Sequence, residues 1–162
     1  MHGDADSLEV LREKVRGTNI NEHTLLATDY LNHLNEPIML LEMVADVPEL
    51  LDELAVWRPK SYIEHFAVST FADKDLAVRA YAVAPEAFRE PFDRTIESAG
   101  RCIVSTVEAL VQLSAQGRTD ELRATASEVT VILGELVDRA SSIIHGQFTT
   151  LGQTQIDQIM NG

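Results

Sequence analysis

The sequence has few basic residues, a single cysteine and no long apolar run, and each shortage excludes a class of protein. Only 13 lysines and arginines stand against 26 aspartates and glutamates, which gives a formal net charge of −13 at pH 7. Such a charge repels phosphate backbones and anionic lipids, so we expect neither a nucleic acid nor a membrane surface as partner. Cys102 has no second cysteine with which to form an internal disulfide.

The remaining absences concern the compartment. No apolar run approaches the roughly 20 residues of a membrane span. A secretory signal would need an apolar stretch near the start, and none is present in MHGDADSLEVLREK. We therefore expect a cytoplasmic protein. With 162 residues, of which 45% are hydrophobic, the chain is long enough to bury its own core.

What the sequence does have is helical periodicity in two long runs. Apolar side chains recur every three or four residues over 92–113 and again over 122–144. Gly117 and Thr119 stand between the runs as the end of one helix and the start of the next. The pattern predicts a long antiparallel hairpin, with an apolar stripe of Phe92, Ile96, Ala99, Ile103, Leu110 and Leu113 facing one of Leu122, Val129, Ile132, Leu136, Ala140 and Ile143.

Capping residues predict where the other helices begin. Side-chain oxygens followed three residues later by an acid can satisfy the free amides of a first turn. Proline suits the same place because the N–H groups of a first turn have no partner within the helix, so the N–H that proline lacks is not missed. These patterns predict helix starts at Asn19 with Glu22, at Thr70 with Asp73, at Asp46 before Pro48, and at Pro85 before Glu86.

The fold class follows from these elements together. A third apolar stripe is formed by Leu26, Leu31, Leu34, Ile38 and Leu41, and no alternating run indicates a strand. We expect an all-α bundle with a long helical hairpin and a short C-terminal helix. Residues 1–146 would form the bundle domain, and residues 147–162 a short tether and an amphipathic helix.

A polar patch interrupts the third stripe. Asp29, Asn32, His33 and Glu36 share one face of a helix at three- and four-residue spacing, just before Pro37. Three interpretations remain open. The patch is a solvated face beside a proline kink, or His33 and Glu36 join His65 or Glu64 as metal ligands, or Asp29 and Asn32 orient a water molecule.

Glu108 and Gln112 offer the same acid and amide pair one helical turn apart on the long hairpin. Arg101 and Ser105 lie on the same side of that helix. A carboxamide can hold water in line with a phosphoryl group while a neighbouring acid engages a nearby cation, so this pair is a second candidate for catalysis. Its plain interpretation is an ordinary exposed pair.

The C-terminal residues form a separate amphipathic segment. Thr150 and Gln153 have capping-box spacing, and Ile156, Ile159 and Met160 then occupy one face of about three turns. An isolated helix this short is marginal in water, so it should pack on its own bundle or on a partner.

This segment resembles the receiver-binding peptides of bacterial chemotaxis. The flagellar motor switch protein carries Ser-Gln-Ala-Glu-Ile-Asp-Ala-Leu-Leu, and the CheZ-type chemotaxis phosphatases carry Ser-Gln-Asp-Gln-Val-Asp-Asp-Leu-Leu beyond a helical bundle. Gln153, Ile156 and Asp157 match in type and spacing, while Ile159 and Met160 replace the leucine pair. The chain departs from these peptides at Gly152, where they have serine. Its tether is shorter than the phosphatases', and it lacks their Asp-Leu-Thr-Gly-Gln catalytic run.

The resemblance implies a function in two-component signalling. The chain would bind a receiver domain through Gln153, Ile156, Asp157, Ile159 and Met160. In an enzymatic form it would hasten aspartyl-phosphate hydrolysis, with Asp29 and Asn32 or Glu108 and Gln112 placing the water. No cofactor of its own is expected, since Mg²⁺ would be carried by the receiver domain. The alternatives are a structural or homo-oligomeric bundle whose tail packs on its own core, and a metal-binding bundle.

Overall fold

The computed structural model of the protein describes residues 7–147 and shows an all-α bundle, as the sequence predicts. Within this range the only strand-like pairing is an isolated bridge between Ile20 and Ala27. A 3-10 turn at Thr28–Tyr30 leads into the second helix. Among the described residues there are seven α-helices: α1 (Leu8–Val15), α2 (Leu31–Met43), α3 (Leu50–Val56), α4 (Tyr62–Ala67), α5 (Lys74–Val83), α6 (Glu86–Ala115) and α7 (Thr119–Ile144).

The predicted hairpin is confirmed as α6 packed against α7. Gly117 adopts a left-handed conformation, with φ of 71°, in the turn between them. Arg118 rather than Thr119 is the N-cap of α7. Most of the predicted apolar positions are buried. Leu113 and Leu136 are partly buried, whereas Ile132 is 51% exposed and Leu133 fills the core position instead. A helical stripe alternates steps of three and four residues, and here the step after Val129 is four.

The predicted helix starts have mixed outcomes. Pro85 is the N-cap of α6 as expected. The helix predicted to start at Thr70 begins later, at Lys74, with Asp73 rather than Thr70 as its N-cap. The helix expected soon after Asp46 begins four residues later, at Leu50. No helix begins at Asn19, so that prediction was wrong.

The segment after Asn19 is a side-chain-supported turn. The side-chain oxygen of Asn21 accepts hydrogen bonds from the amides of His23 and Thr24, which offers the backbone an alternative to a helix. The buried Thr24 hydroxyl then donates to the carbonyl of Ile144 at 2.6 Å. Leu25 adopts a left-handed conformation with φ of 60°. This segment therefore lies against the end of α7.

Aromatic rings join the shorter helices to α6. Tyr62 of α4 stacks between Tyr30 and Tyr81, with ring centroids 5.6 Å and 4.6 Å away. Phe92 of α6 meets Tyr30 and Tyr62 edge-on and is fully buried. Offset and edge-on ring pairs stabilise a core beyond the area that they bury. This cluster fixes α4 and α5 against the first half of α6.

Two predictions concern the chain as a whole. Between residues 7 and 147 no helix is long and apolar enough to cross a membrane. The predicted C-terminal helix and nearly all of its tether, residues 148–162, lie outside the described residues.

Candidate functional site

A short extended segment lies across α6 and shapes the site. We call residues 57–61 the strap; it connects α3 to α4. Pro59 lies directly over Gly100 of α6, where an added Cβ would come within 3.0 Å of the proline Cβ. Gly100 is buried, and its missing side chain lets the strap approach the helix this closely.

The strap is held in place by two side chains from α2 and from the 3-10 turn that precedes it. Lys60 donates its backbone N–H to His33 Nε2 at 2.9 Å, and its carbonyl accepts a hydrogen bond from the Tyr30 hydroxyl. The His33 ring also stacks on Trp57, with centroids 4.9 Å apart. Burial, helped by His65 and Lys60, lowers the pKa of His33 to about 4. At neutral pH the imidazole is therefore uncharged and able to accept this bond.

An open groove runs along α6 beside the strap. It consists of two depressions of about 320 and 510 Å³ that share Arg58, Val104 and Glu108. Trp57 and Val107 line the first, and Pro59 and Gly100 the second. We call this surface the α6 groove.

The predicted pair Glu108 and Gln112 lies on this groove. Both side chains are exposed, and both line the first depression. Arg101 and Ser105 line the second depression together with Glu108, so the four residues that were predicted to share one side do so. The α6 groove therefore presents an acid and an amide one turn apart on a single helix, next to Val104 and Val107.

Two arginines on the groove have no carboxylate partner among residues 7–147. Arg58 Nη1 donates to the backbone carbonyls of Ala55 and Trp57, and Arg101 Nη2 donates to the Ser98 hydroxyl at 3.4 Å. Acids outnumber bases twofold in this chain, with 26 against 13. Both guanidinium groups are exposed and keep donors for an anionic group on a partner.

The structure brings together part of the predicted polar patch. Asp29 Oδ2 lies 3.2 Å from His65 Nε2, and Asn32 donates to Asp29 Oδ1 at 3.4 Å. His33 instead faces inward to the strap. Glu36 is exposed on α2. Both oxygens of Asp29 therefore have protein partners, which leaves this carboxylate less free than Glu108 to act on a bound group.

The ligands of the metal-binding alternative are not arranged as a site in the described structure. The His33 and His65 rings are 6.0 Å apart, but their Nε2 atoms are used by Lys60 and Asp29. Glu64 accepts the amide of Ser61 in the capping box of α4. Residues 7–147 contain no cluster of three or more His, Cys, Asp or Glu side chains placed to hold a metal ion.

A third pair of polar groups was not predicted from the sequence. The Tyr81 hydroxyl donates to Asp93 Oδ2 at 2.7 Å, and both residues line a third cavity of about 250 Å³ together with Pro59, Lys60 and Ser61 of the strap. Burial raises the pKa of Asp93, while the bond from Tyr81 lowers it. These residues belong to different helices, so no spacing within one helix could have revealed the pair.

The fold defines an all-α helical bundle. Comparison with protein-family models, with curated protein sequences and with solved structures found no match to this chain. The five residues predicted to bind a partner, Gln153, Ile156, Asp157, Ile159 and Met160, lie outside the described residues.

Proposed function

We propose that this chain is a cytoplasmic receiver-binding protein of bacterial chemotaxis or two-component signalling that hastens hydrolysis of the receiver's aspartyl phosphate. The tail would recognise the receiver, and the α6 groove would meet the phosphorylated aspartate. The observation that carries this proposal is the placement of Glu108 and Gln112, exposed and one turn apart, on a groove that also presents Arg58 and Arg101.

The chemistry requires a placed water and no covalent intermediate on this protein. Gln112 would hold a water in line with the phosphorus, and the carboxylate of Glu108 would engage the receiver's Mg²⁺ or the water. The water oxygen bonds to phosphorus as the bond from phosphorus to the aspartate oxygen breaks. Inorganic phosphate and a free aspartate result. Arg58 and Arg101 would offset the negative charge on the phosphoryl oxygens.

Glu108 and Gln112 are favoured over Asp29 and Asn32 by their surroundings. Asp29 is engaged by His65 and Asn32, and this pair does not line the α6 groove. A catalytic group must reach the reacting atoms. The open groove gives a receiver surface access to Glu108 and Gln112.

The catalytic part is tested by phosphate release from prephosphorylated receiver domains in Mg²⁺. The wild-type chain should raise the release rate, and Gln112→Ala should lower the stimulated rate by about 10²-fold because water placement is lost. Glu128→Gln is the matched control, since Glu128 is an exposed acid on α7 away from the groove. Full stimulation by Gln112→Ala would show that this residue does not place the water.

The binding part is tested separately by calorimetric titration of receiver domains with and without a beryllofluoride mimic of the phosphoryl group. The double substitution Ile156→Ala and Met160→Ala should abolish micromolar, phosphorylation-dependent binding without lowering the melting temperature. A lower melting temperature with no binding by either protein would instead favour a structural bundle whose tail packs on its own core.

A further inference from the structure

The strap depends on side chains for its position. Trp57 N–H donates to the Leu54 carbonyl of α3 at 3.2 Å, but the amides further along the strap bind side chains. Lys60 N–H donates to His33 and Ser61 N–H donates to Glu64, while Pro59 has no N–H. Its contact with Gly100 limits how closely it can approach α6 but does not hold it there. The hydrogen bonds from the Lys60 N–H to His33 and from the Tyr30 hydroxyl to the Lys60 carbonyl are therefore the main attachment of the strap to α2 and the preceding turn.

The strap also carries one wall of the α6 groove. Trp57 and Arg58 line the groove opposite Val107, Glu108 and Gln112. A displacement of the strap would move the Arg58 guanidinium relative to Glu108, because Arg58 lies two residues from the anchored Lys60. Reactions that depend on placement lose rate steeply when a group is displaced by about 1 Å.

We propose that His33 and Tyr30 are positioning residues of the α6 groove, holding the strap so that Arg58 and Trp57 stand at a fixed distance from Glu108 and Gln112. We call the two hydrogen bonds that join Lys60 to His33 and Tyr30 the clamp. The catalytic consequence of the clamp rests on the proposed function, but its effect on the strap can be tested without any receiver. Neither residue lines the α6 groove. Tyr30 would act through the backbone of Lys60, and His33 through the same backbone and through its stacking on Trp57.

The chain contains its own reporter of strap position. Trp57 is its single tryptophan, and it lies in the strap against His33. His33→Phe and Tyr30→Phe each keep an aromatic ring and remove one hydrogen bond to Lys60. Tyr81→Phe is the matched control, because it removes a tyrosine hydroxyl bond within the same aromatic cluster but not one to the strap.

Acrylamide quenching of Trp57 fluorescence in the full chain tests the clamp. Quenching should increase in His33→Phe and in Tyr30→Phe and stay at the wild-type value in Tyr81→Phe, with the helical circular dichroism unchanged in all three. Wild-type quenching in both strap variants would overturn the inference, whether or not the protein acts on a receiver. If one variant fails to fold, the other decides.

Receiver dephosphorylation then separates positioning from stability. His33→Phe should lower the stimulated rate by about tenfold at saturating receiver. His33→Gln, whose amide oxygen reaches about as far as Nε2 and can accept the Lys60 N–H, should retain most of it. Equal rates for the two variants per folded molecule would mean that His33 is only structural. Absence of stimulation by the wild-type chain would refute the proposed function and leave the quenching result to decide the clamp.

Discussion

The approach of the strap to α6 can be tested by adding one methyl group. An alanine Cβ at residue 100 would lie 3.0 Å from the Cβ of Pro59. Favourable carbon–carbon contacts lie at about 3.5–4.0 Å, so the strap must retreat by roughly 0.5 Å or more. The proline ring is rigid and cannot rotate away as a flexible side chain would. Overpacking of this kind costs about 1–3 kcal/mol.

The same substitution also has a favourable part, which a control can isolate. Alanine stabilises a helix interior by about 0.5–1 kcal/mol relative to glycine. Gly134 lies in the interior of α7, and an added Cβ there meets nothing within 4 Å. Gly134→Ala should therefore show the helical gain alone. We expect Gly100→Ala to be less stable than Gly134→Ala by about 1–3 kcal/mol.

Urea unfolding followed by Trp57 fluorescence and by far-ultraviolet circular dichroism measures both variants. For a chain of this size, 1 kcal/mol corresponds to a shift in melting temperature of about 2–4 °C, so thermal unfolding gives a second measurement. Trp57 emission in native Gly100→Ala should also change, because the strap carries this residue. Equal stabilisation by the two substitutions would refute the placement of Pro59 over Gly100.

Two further predictions concern polar groups away from the groove. Thr24→Val removes the buried donor to the Ile144 carbonyl and should lower the unfolding free energy by about 1–2 kcal/mol. Thr130→Val is the control, because the Thr130 hydroxyl donates to the Ser127 carbonyl at an exposed position of α7, and its effect in the same urea experiment should be smaller. Burial raises the pKa of Asp93, so the folded state favours the protonated carboxyl more than the unfolded state does. This contribution to stability is fully present below the unfolded pKa of about 3.9 and is lost as the pH rises through the pKa of Asp93 in the folded state. Asp93→Asn removes this loss and keeps an acceptor for Tyr81, so its stability relative to wild type should rise from pH 4 to pH 7; a constant difference would contradict the shift.

The long helices could be predicted because their signals are local. Phe92, Ile96 and Ile103 repeat at the helical period, and Gly117 breaks the chain within the same stretch of sequence. The error at Ile132 arose because periodicity alone allows a step of three or four residues. The error at Asn19 arose because Asn21 forms a turn that ends at Thr24, and the Thr24 hydroxyl is bound to the last residue of α7. That tertiary contact leaves no periodic pattern.

Only half of the candidate site could be predicted. Glu108 and Gln112 stand one turn apart on a single helix, so their shared face follows from spacing. The strap could not be predicted, because Lys60 binds side chains 27 and 30 residues away through its backbone, which is the same in every residue type except proline. The contact between His33 and the strap was missed for the same reason.

The bond between Thr24 and Ile144 joins residues that are 120 positions apart, and this distance has a kinetic consequence. Closing a loop of that length from the unfolded chain costs about 3 kcal/mol more entropy than closing a turn of four residues. The α6 and α7 helices can pair through a short turn, whereas the N-terminal segment can join them only after the intervening helices have shortened the loop. Folding should therefore proceed from the hairpin toward the N-terminus, and the N-terminal segment should be the first to detach in partial unfolding.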